Sequence, residues 1–261
     1  MSIDWKVESR RFDAVAELYD LYRPSYPHQV IEQIIADSKL PDGGRILEIG
    51  CGTGIATQLF AQRGYSILGI EQGANMAALA RQKLRGYRRV SITVSTFENW
   101  PPIGKAFDLV FSAQAFHWID KKIGYAKSAY ILKDSGSLAL LWNMYPNPQG
   151  KVFEALNAVY REFAPEINNP GGLSFQAVAK ERELEINHSG YFNPVKVNYY
   201  PWSEHYKVQQ YLGLLNTYSD HLRLPEARRK RLFEAVAGVI KHHGGDIEKP
   251  YVAVSYVTQK K

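Results

Sequence analysis

Between Arg45 and about Trp142 the sequence alternates short, nearly continuous apolar runs with helical patterns, and that alternation leaves few folds open. A strand that feeds a crossover helix and returns beside itself builds a parallel ladder, and helices on both faces require strands that are apolar on both sides. RILEI, SILGI, VSITV, FDLVFS and SLALLW meet that requirement as five successive strands. Between the first two lies GIATQLFAQRG, with Ile55, Leu59 and Phe60 on a helical face and Gly64 as a left-handed stop; ANMAALARQKL supplies the second crossover. PDGG, from Pro41 to Gly44, is a turn that ends an N-terminal helical segment. After Trp142 the rhythm changes. An amphipathic helix around Val152 to Phe163 precedes the loop INNPGG and a β-rich run, VKVNYY, at Val195 to Tyr200. A long helix, PEARRKRLFEAVAGVIKHHG, carries Leu232, Val236, Val239 and Ile240 on one stripe, and YVAVSYV at Tyr251 to Val257 is a further strand. No internal repeat interrupts this order, so one elaborated α/β domain is expected.

Composition narrows the function classes. A chain of 261 residues, 45% hydrophobic and 22% charged, can bury a full core. Its single cysteine, Cys51, excludes an intramolecular disulfide framework, and MSIDWKVESRRFD has acidic residues where a signal peptide carries its apolar run. No window approaches the roughly 18 uninterrupted apolar residues of a membrane span. A cytoplasmic protein without a membrane partner is therefore expected. The net charge of +6 invites a nucleic-acid partner, but the cations are scattered apart from RRKR at Arg228 to Arg231. On a helix those four side chains point round the axis, which reads as a solvated face, and no nucleic-acid partner is expected.

The segment ILEIGCGTG, Ile46 to Gly54, is where the chain would hold a ligand with its backbone. A strand, a glycine loop and a helix N-terminus bring N–H groups close to a ligand, and both dinucleotides and S-adenosylmethionine are held this way. A dinucleotide fingerprint beginning at Gly50 and Gly52 needs its last glycine at position 55, which is Ile55; here the third glycine is Gly54. Glu48 sits poorly beside a pyrophosphate but suits a ligand with an ammonium and a sulfonium. Glu71, closing LGIEQ, stands about 20 positions beyond the loop, where an acid accepts ribose hydroxyls in either cofactor class. Cys51, inside the loop, is a small buried occupant rather than a nucleophile. A nicotinamide-dependent oxidoreductase remains the alternative from another enzyme class.

With the segments GIEQGANM, STFENWP and FDLVFSAQAFHWID, and the N-terminal AELYDLYRPSYP, this loop resembles the class I S-adenosylmethionine-dependent methyltransferases. The likeness covers about Phe12 to Trp142 and is similar to the type 11 branch that includes proteins like trans-aconitate methyltransferase. It implies a Rossmann-like α/β fold: a seven-stranded, mostly parallel sheet whose last strand runs antiparallel beside the fifth. Residues 1–44 are then a helical lid segment, and residues 45–261 a methyltransferase domain with a helical insertion at about 203–243. The implied cofactor is S-adenosylmethionine, held by Glu48, Gly50, Cys51, Gly52, Thr53 and Gly54 in the loop and by Glu71, Gln72 and Met76 after the second strand. Thr96, Phe97 and Glu98 would contact adenine, Ala113 and Gln114 follow the fourth strand, and Tyr19 and Arg23 belong to the lid. One departure stands out: members commonly have an aspartate where this chain has Thr96, which moves that contact toward the backbone around Phe97.

In-line transfer from a sulfonium asks the protein mostly for alignment and exclusion of water. A small-molecule methyl acceptor is expected, with a nucleic-acid methyltransferase as the alternative; NMYP at Asn143 follows strand five rather than strand four and does not support the latter. His117 is the one candidate catalytic residue. It can take a proton from the acceptor, or it can bond the cofactor's carboxylate or a neighbouring backbone group. Arg23 can pair with the cofactor's carboxylate or with an acidic substrate, while the tyrosines beside it can equally be helix packing. YLGLLNTYSD, Tyr211 to Asp220, is the candidate substrate wall. His242 and His243 project about 100° apart on a helix, without partners at ligand spacing, so no metal site is expected.

Overall fold

The computed structural model of the protein describes residues 11–102, 104–167 and 174–261. The first ten residues of the segment read for a leader, the start of the expected lid, and most of the INNPGG loop lie outside them. Seven strands form one sheet in the order β3-β2-β1-β4-β5-β7-β6. They are β1 (Arg45–Ile49), β2 (Ser66–Glu71), β3 (Val90–Val94), β4 (Phe107–Ala113), β5 (Leu132–Met144), β6 (Lys196–Lys207) and β7 (Asp246–Gln259). β1 pairs in parallel with β2 and β4, β2 with β3, and β4 with β5. β7 is antiparallel to β5, Ser137 opposite Gln259 through Met144 opposite Val252. The expected mixed sheet, with its one reversed strand beside the fifth, is the observed one.

The chain divides into two compact units, one drawn from the chain up to Pro24, Tyr145–Phe175 and Pro201–Tyr251, the other from Ser25–Met144, Gln176–Tyr200 and Val252–Lys261. The second unit holds the sheet except for residues 201–207 of β6 and 246–251 of β7. Helices α2 (His28–Ser38), α3 (Ile55–Ala61), α4 (Ala74–Leu84) and α5 (Lys121–Ile131) are its crossovers and flank. α3 lies against β2, α4 against β2 and β3, and α2 and α5 against β5. β1 and the second half of β5 are buried on both faces for that reason, which is why their sequences show no polar alternation. One helix absent from the sequence reading, α7 (Phe175–His188), also belongs here; only Ala179 and Ile186 of it are buried.

The first unit contains α1 (Ala16–Tyr22), α6 (Lys151–Phe163), α8 (Val208–Leu215), a short α9 (Ser219–Leu222) and α10 (Glu226–His242). Its core joins Tyr206, Leu214, Leu232, Val236, Ile240 and Tyr251. The stripe expected on the long helix is there, with Leu232, Val236 and Ile240 fully buried. Within RRKR, Arg228 is committed: it grips Glu166 with two hydrogen bonds, 2.7 and 2.8 Å, and donates to the Phe163 carbonyl at 2.6 Å. The span expected as a helical insertion opens instead with the end of β6, because Ser203 to Lys207 continue that strand.

Candidate functional site

In the second unit, the carboxyl ends of β1, β2 and β4 and the loops after them gather most of the residues singled out in the sequence. β1 ends in Glu48 and runs into the glycine loop, whose closing residue, Gly54, caps α3 in the left-handed region at φ 79°. That φ calls for glycine on backbone grounds, and a side chain at Gly54 would also press on Leu84 of α4 at 2.8 Å. Gly52 is different. It too is left-handed, at φ 56°, but nothing lies within 4 Å of where its Cβ would be. Its backbone therefore faces open space that a ligand can approach closely.

Two acids organise this loop. Glu71 accepts from Gly52 N–H with one carboxylate oxygen at 2.9 Å and from Gly73 N–H with the other at 2.8 Å. The carboxylate thus ties the glycine loop to the start of α4 and stands fixed between them. Glu48 is 2% exposed, and burial, with the Glu71 charge adding to it, pushes its pKa up to about 8. Its Oε2 and the Thr53 hydroxyl are buried without a hydrogen-bond partner. Such orphaned atoms are expensive inside a protein unless a ligand completes them. Cys51 is buried and its thiol is held well above its ordinary pKa by burial and then by Glu48 and Glu71, so it is inert.

Beyond β2, Met76 is buried on α4, while Gln72 is partly exposed. Beyond β3, Phe97 is buried and Thr96 and Glu98 are partly open. The Thr96 hydroxyl accepts from Asn99 N–H at 3.2 Å, which occupies it within its own turn. Sequence reasoning missed what fixes this loop: Lys127 of α5 donates to the carbonyls of Phe97 at 2.7 Å, Glu98 at 3.0 Å and Trp100. No local motif announces a lysine that acts 30 positions away.

At the end of β4, Ala113 is partly open and Gln114 adopts φ 59°, a left-handed conformation unusual for a residue with a side chain. Its amide donates to the Asn143 carbonyl at 3.1 Å, and the Asn143 amide donates to the Ser25 carbonyl at 3.1 Å. His117 follows on a 3₁₀ turn, Phe116–Trp118, and accepts at Nδ1 from the Trp142 indole at 3.2 Å. Arg182 lies 4.0 Å over the Trp142 ring. Loss of water around the imidazole, then the Arg182 charge, lowers its pKa to about 4, although the residue keeps an exposed edge. The imidazole is neutral at neutral pH on either count. Because the indole can only donate, the imidazole proton is on Nε2.

Tyr19 and Arg23 belong to the first unit, and the glycine loop belongs to the second. Among the described residues no group of three His, Cys, Asp or Glu side chains is placed to hold a metal ion.

Residues 46–136, which carry the glycine loop and both acids, match the family model of a methyltransferase domain. This chain is a class I S-adenosylmethionine-dependent methyltransferase. The methyltransferase is similar to an uncharacterized methyltransferase of Mycobacterium tuberculosis, 24% identical over 96% of this chain and 93% of that one. It is also similar to the malonyl-acyl-carrier-protein O-methyltransferase of Priestia megaterium, 30% identical over 66% of this chain and 64% of that protein. Among solved structures, a candidate type II methyltransferase from Anaeromyxobacter dehalogenans superposes with a TM-score of 0.64 at 19% identity, covering 92% of this chain and 97% of that one. Phosphoethanolamine N-methyltransferase 2 of Haemonchus contortus, in complex with phosphomonomethylethanolamine and S-adenosylhomocysteine, has a TM-score of 0.58 at 14% identity, with 99% and 60% covered. At those identities the two structures establish the shared fold. None of these matches distinguishes the type 11 branch.

Proposed function

We propose that the methyltransferase moves the methyl group of S-adenosylmethionine to a small-molecule acceptor, with the cofactor held in the loops of the sheet-bearing unit. The observation that carries the cofactor assignment to residues is the pairing of an open, left-handed Gly52 with a Glu71 carboxylate pinned by two backbone N–H groups. That carboxylate keeps lone pairs for a ribose, and its position survives binding because the loop itself holds it. Glu48 and Thr53 offer the unpartnered buried atoms that a zwitterionic amino acid end would complete. Gly50, Cys51 and Gly54 shape the loop, Gln72 and Met76 border the nucleoside, and the backbone of Thr96, Phe97 and Glu98, braced by Lys127, faces the base. Ala113 and Gln114 line the end of β4.

S-adenosylmethionine supplies an activated methyl on a sulfonium, whose departure leaves a neutral thioether. The residues around it then have to align and to exclude water. His117, with Nδ1 engaged by Trp142, has only an Nε2–H to offer, so it serves as a hydrogen-bond donor to a carboxylate or acceptor oxygen. That favours the binding role over the general-base role.

The small-molecule reading is supported by the first cation of the RRKR run, since Arg228 is spent on Glu166 and Phe163. Calorimetry with S-adenosylhomocysteine and NADH tests the cofactor; only the first should bind. Glu71→Ala should weaken that binding roughly ten- to hundredfold, since it removes a charged acceptor worth about 1.5–3 kcal/mol. Unchanged affinity would remove Glu71 from the ribose. Transfer of labelled methyl to a metabolite pool, run beside RNA and DNA, tests the acceptor, and label in nucleic acid would overturn the small-molecule assignment.

A further inference from the structure

The first unit gathers two cations among tyrosines, and among the described residues neither has a carboxylate paired with it. Arg23 donates from Nε to the Thr217 hydroxyl at 2.8 Å and from Nη2 to the Thr217 carbonyl at 2.7 Å. Its guanidinium lies 5.0 Å over the Tyr19 ring and 4.5 Å over the Tyr218 ring. Nη1 meets no hydrogen-bond acceptor among the described residues. Lys249 places its ammonium 4.8 Å over Tyr145 and 5.5 Å over Tyr251, and among the described residues it makes neither an ion pair nor a hydrogen bond. The Tyr218 hydroxyl is buried without a partner, and Tyr145 comes near it without completing a hydrogen bond.

Buried charges in folded chains are paired or metal-bound, because desolvation costs several kcal/mol per ion. Here the reverse holds. Burial, and then the Arg23 charge, lowers the Lys249 pKa to about 8, and burial holds the Tyr218 and Tyr251 phenols protonated, so these tyrosines bring rings and not counter-charge. Two cations that repel each other inside an aromatic wall are tolerated when an anion completes them. Cation–π contacts of about 0.5–2 kcal/mol each do not replace a counter-charge. Both side chains also keep a partly open edge, which leaves a way in.

We propose that Arg23 Nη1, Lys249 Nζ and Tyr218 Oη form an oxyanion subsite that holds the carboxylate or phosphate of a small molecule. A fork donor, a point charge and a hydroxyl converge on an oxyanion's several lone pairs, as such groups require. The surrounding rings then contact the apolar body of the same molecule.

The experiment titrates the full chain with succinate, inorganic phosphate and the uncharged succinamide, with and without saturating S-adenosylhomocysteine, for the parent, Lys249→Met and Tyr218→Phe. Succinate or phosphate should bind and succinamide should not. Lys249→Met should weaken anion binding at least tenfold and Tyr218→Phe at least threefold, with the S-adenosylhomocysteine Kd unchanged within twofold. Whichever anion binds tighter names the group the subsite takes. No response from the parent, or equal responses from parent and Lys249→Met, would overturn the subsite. A parallel loss of S-adenosylhomocysteine affinity in Lys249→Met would reassign these cations to the cofactor's carboxylate and overturn a subsite of their own. Failure of the parent to bind S-adenosylhomocysteine at all would instead fail the transfer reading, and the anion titration without it would still decide the subsite.

Discussion

Glu48 ends β1 with a carboxyl that the fold keeps from water and half satisfies. The folded chain holds its proton up to about pH 8, whereas an unfolded chain releases it near 4.5. This group therefore costs nothing below pH 4.5, and stability falls as pH rises toward 8, by about 5 kcal/mol at most. Glu48→Gln should remove that slope. Melting curves at pH 5 and pH 8 should show the variant gaining on the parent as pH rises, and parallel profiles would contradict the burial argument. His117 makes the opposite test. Held neutral with its Nδ1 engaged, it should give no inflection near pH 6.5 in kcat/KM; His117→Gln, which keeps a donor, should stay within tenfold of the parent, while His117→Ala falls further. Both residues were legible in the sequence because motif spacing puts them at strand ends. The Trp142 indole that decides the His117 tautomer was not, since no local pattern links a turn after β4 to the end of β5.

At the scale of elements, two contacts carry testable weight. Lys127 reaches from α5 to three carbonyls of the loop after β3, so the loop's shape depends on a helix outside it. Lys127→Met returns those carbonyls to water and should weaken S-adenosylhomocysteine binding roughly three- to tenfold, in line with charged hydrogen bonds that are partly solvent-screened. Unchanged affinity would show that the loop keeps its shape unaided. In the first unit α1 packs on α8 where Gly213 leaves room for Tyr22, and an added Cβ would fall 2.4 Å from that ring. Gly213→Ala gains up to ~1 kcal/mol of helix propensity but meets an overpacking cost of about 1–3 kcal/mol. The clash should win and lower Tm by a few degrees, weakening the anion response in step because Arg23 follows Tyr22 directly. The element boundaries explain what sequence patterns could and could not give. β1, β2 and β4 were readable from their apolar runs and β3, an edge strand with only Ile92 buried, from its β-branched residues, whereas β5 starts five residues before SLALLW, in the polar stretch Leu132 to Gly136, and β6 continues through SEHYK. α7 escaped notice because a charge-rich helix anchored by two buried residues shows almost no stripe.

For the whole molecule, the alternation of strands and helices foretold the sheet but not the gathering of three distant stretches into a unit with its own core. Periodicity reports which face of an element is buried, never against what, and Arg23, Thr217 and Lys249 lie too far apart in the chain for any local pattern to join them. Chain order and sheet order also disagree in one place: β7 is the last strand along the chain, yet it lies between β5 and β6. During synthesis β6 emerges first and has no neighbour to pair with, so it waits as an open edge while about forty further residues are made. At 5–20 residues per second that exposure lasts seconds. A ribosome-bound chain halted before β7 should leave β6 open to protease and to chaperones, and the residues from Asp246 onward, once clear of the ribosome, should begin to close it.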